Sequence, residues 1–364
     1  MKDLAPKNIM EIVPYPPGKP IEELEREYGV KGSIKLASNE NPLGPSPRAL
    51  AAIRKNLKNI NRYPDGSCHY LKGKLSKNLG VDPENLIVGN GSNEIIELAA
   101  RAFLRPGEEA VMAKPSFAVY PIVTKATGGV SRQVPVRDDF SIDLERFTEA
   151  LTEKTRLIFL DLPNNPIGTI VKKVELDSFL RRVPESCIVI LDQAYREFVS
   201  DPDFPDGMDY LDNQANVICL RTFSKVYGLA GLRVGYGAAR PDIIDFMNRV
   251  RQPFNVNSLA QAAALGALED TRHLEKTLAN NRAGLKFLYA QMKKLKLNYL
   301  ESHSNFFMID LERDCRLVYD AMLRLGVIVR PMASYGLSTW IRVNVGTPAE
   351  NRRFVSALGK VLGR

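Results

Sequence analysis

Residues Cys219 to Gly237 read CLRTFSKVYGLAGLRVGYG. An apolar run leads into Thr222, Ser224 and Lys225, and glycines with Arg233 follow before a second apolar run. The first run continues a strand pattern over Asn216 to Leu220 and the second forms one over Leu232 to Gly237, so the polar turn lies where a strand ends. An amine in such a turn can be partly desolvated and kept nucleophilic enough to condense with an aldehyde. A solvent-facing position is the commoner one for a lone lysine. Thr222, Ser224 and Arg233 shift that balance, because hydroxyl donors and a guanidinium fork can surround a phosphate.

Working outward, the runs LIVG (Leu86 to Gly89), EAVMA (Glu109 to Ala113), RLIFLD (Arg156 to Asp161) and CIVILD (Cys187 to Asp192) repeat the strand pattern. Helix-compatible segments such as NEIIELAARAFL and KVELDSFLRRV lie between them. This alternation predicts an α/β fold whose mostly parallel sheet is covered by helices, a three-layer large domain with functional loops beyond the carboxyl ends of its strands. Past Val250 comes a helical stretch, Ser258 to Leu295, that is too long for one ordinary helix without a kink. The strands SNFFMIDL, VIVRPM and WIRVNVG, with the helices CRLVYDAMLRLG and one from Pro348, predict a smaller α+β domain. The first 50 residues, rich in Pro and Gly with one short helix over Ile21 to Tyr28, read as an arm or lid held by contacts elsewhere. The expected division is an arm over 1–45, a large domain over 46–255 and a small domain over 256–364.

Composition narrows the function classes. The chain has 364 residues, 45% of them hydrophobic, and a formal net charge of +8 with acids and bases interspersed. That pattern suits anionic small molecules and offers no basic tail or aromatic-basic repeat for nucleic acid. Cys68, Cys187, Cys219 and Cys315 show no CxxC spacing, so reduced thiols in the cytoplasm are expected. The opening residues lack a signal-peptide core, and nowhere do 18 apolar residues run together, so neither export nor a membrane span is expected. His69, His273 and His303 have no ligand spacing, and no metal site is expected.

Three further segments bear on the turn at Lys225. In IVGNGSNEII, the Gly89-Asn90-Gly91 turn sets Ser92 and Asn93 at a helix start, where free N–H groups favour a phosphate; an ordinary serine cap is the alternative. In LDLPNNPIG, Asn165 follows a strand in a proline-restricted turn and can be fixed over a ligand, or can belong to a plain polar turn. In VILDQAYREF, Asp192 ends a strand and Tyr195 follows three residues later. A buried carboxylate needs compensation, which a protonated ring nitrogen supplies, while Tyr195 can donate to a phenolate-like oxygen; a helix cap is the alternative for Asp192. A cofactor with an aldehyde, a phenolic oxygen, a ring nitrogen and a phosphate answers all these groups together, and that cofactor is pyridoxal 5'-phosphate.

The ordered set SNENPLGPSP, NRYPDG, GNGSNEIIELAARAF, NNPIG, DQAYREF, RTFSKVYGLAGLRVGYG and WIRVNVGTPAEN resembles the signature of fold type I aminotransferases, which have an aspartate aminotransferase-like fold, and in particular their histidinol-phosphate aminotransferase branch. The resemblance spans roughly residues 10 to 360. It implies that Lys225 bonds the cofactor aldehyde and shuttles the proton, that Asp192 partners the pyridine nitrogen, and that Tyr195 and Asn165 donate to the phenolic oxygen. It implies a phosphate environment of Ser92, Asn93, Thr222, Ser224 and Arg233, and a stacking ring at Phe117, where many relatives carry Tyr. Tyr63 resembles a tyrosine that reaches the cofactor phosphate of the neighbouring subunit, implying a homodimer with shared sites. Arg330 and Arg342, with Tyr15 and Asn165, resemble the grip on a substrate phosphate, and Asn39 with Glu40 the imidazole end. The implied reaction is amino transfer between L-histidinol phosphate and 2-oxoglutarate in histidine biosynthesis. An aromatic amino acid aminotransferase, a threonine-phosphate decarboxylase and a noncatalytic dimeric binding protein of the same fold are the alternatives.

Overall fold

The computed structural model describes residues 4–212 and 216–364, so the first three residues of the expected arm lie outside it. Its strands are β1 (Ile34–Lys35), β2 (Leu86–Gly89), β3 (Glu109–Lys114), β4 (Val130–Pro135), β5 (Thr155–Asp161), β6 (Ile188–Asp192), β7 (Asn216–Thr222), β8 (Gly235–Ala238), β9 (Tyr299–Leu300), β10 (Phe306–Asp310), β11 (Val327–Ile328), β12 (Arg330–Pro331) and β13 (Trp340–Asn344). Seven of them form one sheet in the order β2-β8-β7-β6-β5-β3-β4, in which β8 alone runs antiparallel to its neighbours.

The central strands are buried on both faces, which is why they read as continuous apolar runs. Alternate residues feed opposite cores. Leu157 and Phe159 pack with Ile95, Leu98 and Ile243 of the helices Ser92–Phe103 and Pro241–Val250. Ile158 and Leu160 pack with Phe147, Leu176 and Phe179 of the helices Leu144–Glu149 and Lys173–Leu180. The result is helix, sheet and helix in three layers.

A second, antiparallel sheet has the order β12-β13-β10-β9. Its core joins Phe307, Ile341 and Val343 to Leu288 and Met292 of Thr271–Lys294, Val318 and Met322 of Cys315–Arg324, and Phe354 and Leu358 of Pro348–Leu362. The long helical stretch breaks at Glu269 and Asp270, where the Asp270 side chain accepts the His273 N–H at 3.2 Å and starts a new helix. VIVRPM splits into β11 and β12, which join different sheets. LRVGYG is strand only from Gly235, because Ala230–Leu232 is a short 3-10 turn and Arg233 takes a left-handed φ of 58°.

The arm is stitched to this second region. Ile34 N–H donates to Gly326 O, Leu36 N–H to Ile328 O, and Asn344 N–H to Leu36 O, at 2.9, 2.8 and 3.0 Å. The helix Ile21–Tyr28 buries Leu24 against Leu323 and Ile328. Among the described residues no helix is long and apolar enough to cross a membrane.

Candidate active site

Strands β2, β5, β6 and β7 all end toward one edge of the seven-stranded sheet, and their following loops line a cavity of about 400 Å³. This is the crevice beyond the carboxyl ends where open α/β sheets bind ligands. Gly235 explains how the turn after β2 meets the turn after β7, since it pairs with Gly89 on one side and Thr222 on the other. A Cβ there would stand 2.5 Å from Ser92 N, so only glycine lets the strands close this tightly. Gly91, at φ 81°, likewise leaves space that the Arg233 guanidinium occupies, with Nη2 2.5 Å from where a Cβ would sit.

That corner collects donors. Ser92 and Asn93 open the helix Ser92–Phe103, and Thr222, Ser224 and Arg233 face them. Thr222 Oγ1 accepts the Ser224 N–H at 3.1 Å, which leaves the Thr222 hydroxyl proton free for the cavity. Arg233 Nη1 donates to Ala230 O at 3.1 Å, and no carboxylate pairs with it among the described residues.

The opposite wall is acidic. Asp192, at the end of β6, accepts from Tyr120 Oη at 2.9 Å and from Ala194 N at 3.2 Å. Burial without a cation in contact pushes its carboxyl up to about 6. Asp161, its register partner at the end of β5, is pushed up to about 7 by burial, with the neighbouring Asp192 charge adding to the shift. Phe117 lines the cavity and meets Tyr120 edge to face at 5.6 Å.

Lys225 sits between these ends. Its Nζ donates to Ser38 O at 3.2 Å and lies 5.7 Å from the Tyr195 ring centroid. Desolvation lowers its pKa to about 8, and the positive fields of Arg342 and Arg233 add to the effect against Glu40 and Asp192. Asn39 Nδ2 donates to Tyr195 Oη at 2.8 Å, which leaves the tyrosine's own proton to point into the cavity. Arg342, on β13, is buried; it donates to Asn165 Oδ1 at 2.5 Å and to Ala37 O at 2.9 Å, above the Phe306 ring at 5.1 Å. With its oxygen engaged, the Asn165 side chain has only its amide N–H groups left to offer a ligand in the cavity it lines.

The structure therefore brings together Lys225, Ser92, Asn93, Phe117, Asn165, Asp192, Tyr195, Thr222, Ser224, Arg233, Asn39, Arg342 and Tyr15. It does not place Arg330 or Tyr63 there. Arg330 donates to Pro16 O at 3.0 Å, lies 5.5 Å from the Tyr15 ring and faces an adjoining cavity of about 570 Å³ beneath the arm. Tyr63 is 83% exposed and stacks on Phe254 at 4.8 Å.

Sequence reading passed over Tyr120, Asp161 and Tyr335, which line the same cavity. Tyr120 carried a signal, three residues after Phe117 and so on the same side of a helical turn. Asp161 carried another, because RLIFLD and CIVILD share an apolar run ending in Asp. No comparable signal marked Tyr335.

An α/β architecture with a lysine, a strand-end aspartate and a hydroxyl-arginine corner in one crevice defines a class of enzyme. The chain belongs to the aminotransferase class I and II family, whose model matches residues 31–358. It is 50% identical over 355 residues to the histidinol-phosphate aminotransferase of Moorella thermoacetica, covering 97% of this chain and 92% of that one. Its structure matches the histidinol-phosphate aminotransferase of Sinorhizobium meliloti in complex with pyridoxal-5'-phosphate with a TM-score of 0.90, at 28% identity over 99% of this chain and 98% of that one. A Thermus thermophilus aspartate aminotransferase mutant shares the fold, with a TM-score of 0.82 at 22% identity over 99% and 100%. The fold is type I, aspartate aminotransferase-like.

Proposed function

We propose that the protein is a pyridoxal-phosphate-dependent transaminase that moves an amino group between L-histidinol phosphate and 2-oxoglutarate, in the cytoplasm and in the service of histidine biosynthesis. The observation that carries this reading is the charge layout of one cavity, with the unpaired carboxyl of Asp192 at one end, the Arg233 corner at the other and the desolvated Lys225 amine between them. The residues fit the cofactor. A buried carboxylate that has hydrogen-bond donors but no cation in contact suits a protonated ring nitrogen, and a cradle shaped by Gly91 and Gly235 suits a phosphate. When bound, the cofactor supplies an electron sink for the pair released as a substrate Cα proton leaves.

The chain's own groups do the rest. Asp192, held by Tyr120, would keep the ring nitrogen protonated. Tyr195 and Asn165 would donate to the phenolic oxygen, Phe117 would cover the ring, and Ser92, Asn93, Thr222, Ser224 and Arg233 would hold the phosphate. With the cofactor bound, Lys225 Nζ would anchor its aldehyde and, once freed, would be the base that accepts and returns the substrate Cα proton. Arg342, helped by Tyr15, Asn165 and, from the adjoining cavity, Arg330, would receive the substrate phosphate in one half-reaction, and Arg342 the α-carboxylate of 2-oxoglutarate in the other, while Asn39 and Glu40 would shape the imidazole end.

The same reading makes the protein a homodimer in which Tyr63, stacked on Phe254 away from its own chain's cavity, reaches the phosphate in the partner. It divides the chain into an arm over 1–45, a cofactor domain over 46–255 and a small domain over 256–364.

Purified protein assayed side by side with histidinol phosphate, phenylalanine and threonine phosphate tests the assignment. Fastest turnover with histidinol phosphate is expected. Rapid turnover of phenylalanine, or release of carbon dioxide from threonine phosphate, with no histidinol-phosphate half-reaction would replace it. No amine-dependent spectral change with any substrate would make the protein a binding module. Arg342→Ala is expected to raise KM for both histidinol phosphate and 2-oxoglutarate by about 100-fold, the scale of losing one partner of a buried charge-assisted contact. Unchanged kinetics for both would remove Arg342 from the anion site.

A further inference from the structure

Asp161 is 3% exposed on the wall of the cavity, yet no role above employs it. Both its oxygens are committed to the turn that follows β5. Oδ1 accepts from Asn164 Nδ2 at 3.0 Å, and Oδ2 accepts from the Asn165 N–H at 2.8 Å. The far end of that turn is closed by backbone bonds, Asn164 N–H to Thr169 O at 2.8 Å and Gly168 N–H to Asn164 O at 2.6 Å. The near end rests on Asp161.

What the turn presents is Asn165, whose side-chain oxygen is one of the two acceptors that orient the Arg342 guanidinium. The third nitrogen of that group, Nε, is buried without a partner among the described residues, so the fork is aimed by Asn165 Oδ1 and Ala37 O. A buried guanidinium held at two points loses its aim when one point moves. We propose that Asp161 is a positioning residue for anion recognition: it fixes the Asn164-Asn165 turn so that Asn165 holds Arg342 ready for the substrate carboxylate or phosphate. This inference rests on the transaminase reading above, and it separates Asp161 from its register partner Asp192, which faces the cofactor ring.

The test uses the holoenzyme and the variants Asp161→Ala and Asp161→Asn, with 2-oxoglutarate as the probe because it is common to whichever amine is the natural donor. Asp161→Ala is expected to raise KM for 2-oxoglutarate, and its Kd by calorimetry, about tenfold, the scale of one lost hydrogen bond to a charged acceptor. At saturation kcat should fall by less than Kd rises, since Lys225 and Asp192 keep their own contacts, and any change in the visible band of the bound cofactor should accompany the change in Kd, because Asn165 faces both Arg342 and the phenolic oxygen. Asp161→Asn keeps one acceptor for the turn and should fall between the two. In an Asn165→Ala background the Asp161→Ala effect should vanish, because residues acting through one contact are not additive. Unchanged Kd in Asp161→Ala, or full additivity with Asn165→Ala, overturns the proposal. A shifted pH dependence of the visible band with unchanged Kd assigns Asp161 to the ring nitrogen instead and also overturns it. Should Asp161→Ala fail to fold, Asp161→Asn and Asn164→Ala carry the same comparison. Failure of the wild-type protein with histidinol phosphate alone sinks the substrate assignment, while the 2-oxoglutarate Kd still decides the role of Asp161.

Discussion

Lys225→Ala is expected to lower kcat by about four orders of magnitude, because the change removes both the covalent anchor and the base that carries the Cα proton. The wild-type amine is built for both tasks. Held by Ser38 O at 3.2 Å and lowered to about 8, it is an ammonium below that pH and a free base above it. The rate of pyridoxal-phosphate uptake by cofactor-free protein should therefore rise with pH and level off above about 8, well below the plateau of an exposed lysine at about 10.4. The variant should melt no lower than the parent, since a cation without a carboxylate in contact leaves a desolvated position. Stopped-flow absorbance and kcat measure the first two effects. Borohydride trapping of the cofactor on another lysine would refute the assignment.

The second large effect belongs to Asp192→Asn, which keeps the shape and an acceptor for Tyr120 Oη but removes the charge. In the wild-type protein the carboxyl is pushed up to about 6 by burial, and a ring N–H⁺ against it reverses that cost. Loss of the ion pair strips the ring of its proton and with it most of the electron sink. A kcat reduction of about 1,000-fold is expected, the scale of breaking a buried pair from one side. Equal kcat in variant and parent would show that Asp192 does not partner the ring. Tyr120→Phe removes only the hydroxyl that steadies Asp192 and should act in the same direction with a smaller loss.

Much of this was legible before any coordinates. Strands buried on both faces leave continuous apolar runs, so β2, β3, β5, β6 and β7 stood out as such, and the polar residues following β5, β6 and β7 gave candidate site groups. The edge strand β4 did not, since Val130, Arg132 and Gln133 face solvent and no run survives. Nor did the pairing of Ile34–Lys35 with Val327–Ile328, because two-residue strands nearly 300 positions apart carry no periodic signal. Within the site, Lys225, Asp192 and Arg233 could be found by chemical type and position. Tyr120 could not be separated from a core tyrosine, for its ring stacks on Phe159 at 4.6 Å and only its hydroxyl faces Asp192. Asp161 shares the strand-end position of Asp192, but its commitment of both oxygens to its own turn is a tertiary fact that the shared pattern does not carry.

The stitched arm brings two functional side chains onto neighbouring links of one chain. Arg342 Nη2 hangs from Ala37 O and Lys225 Nζ from Ser38 O, consecutive carbonyls whose α-carbons are about 3.8 Å apart. Leu36, one residue earlier, is bonded to both Ile328 and Asn344, so this link is clamped at its root. The group that weighs an arriving anion and the group that must let go of its tether share a single suspended strap, and a load on either is borne by the peptide between them.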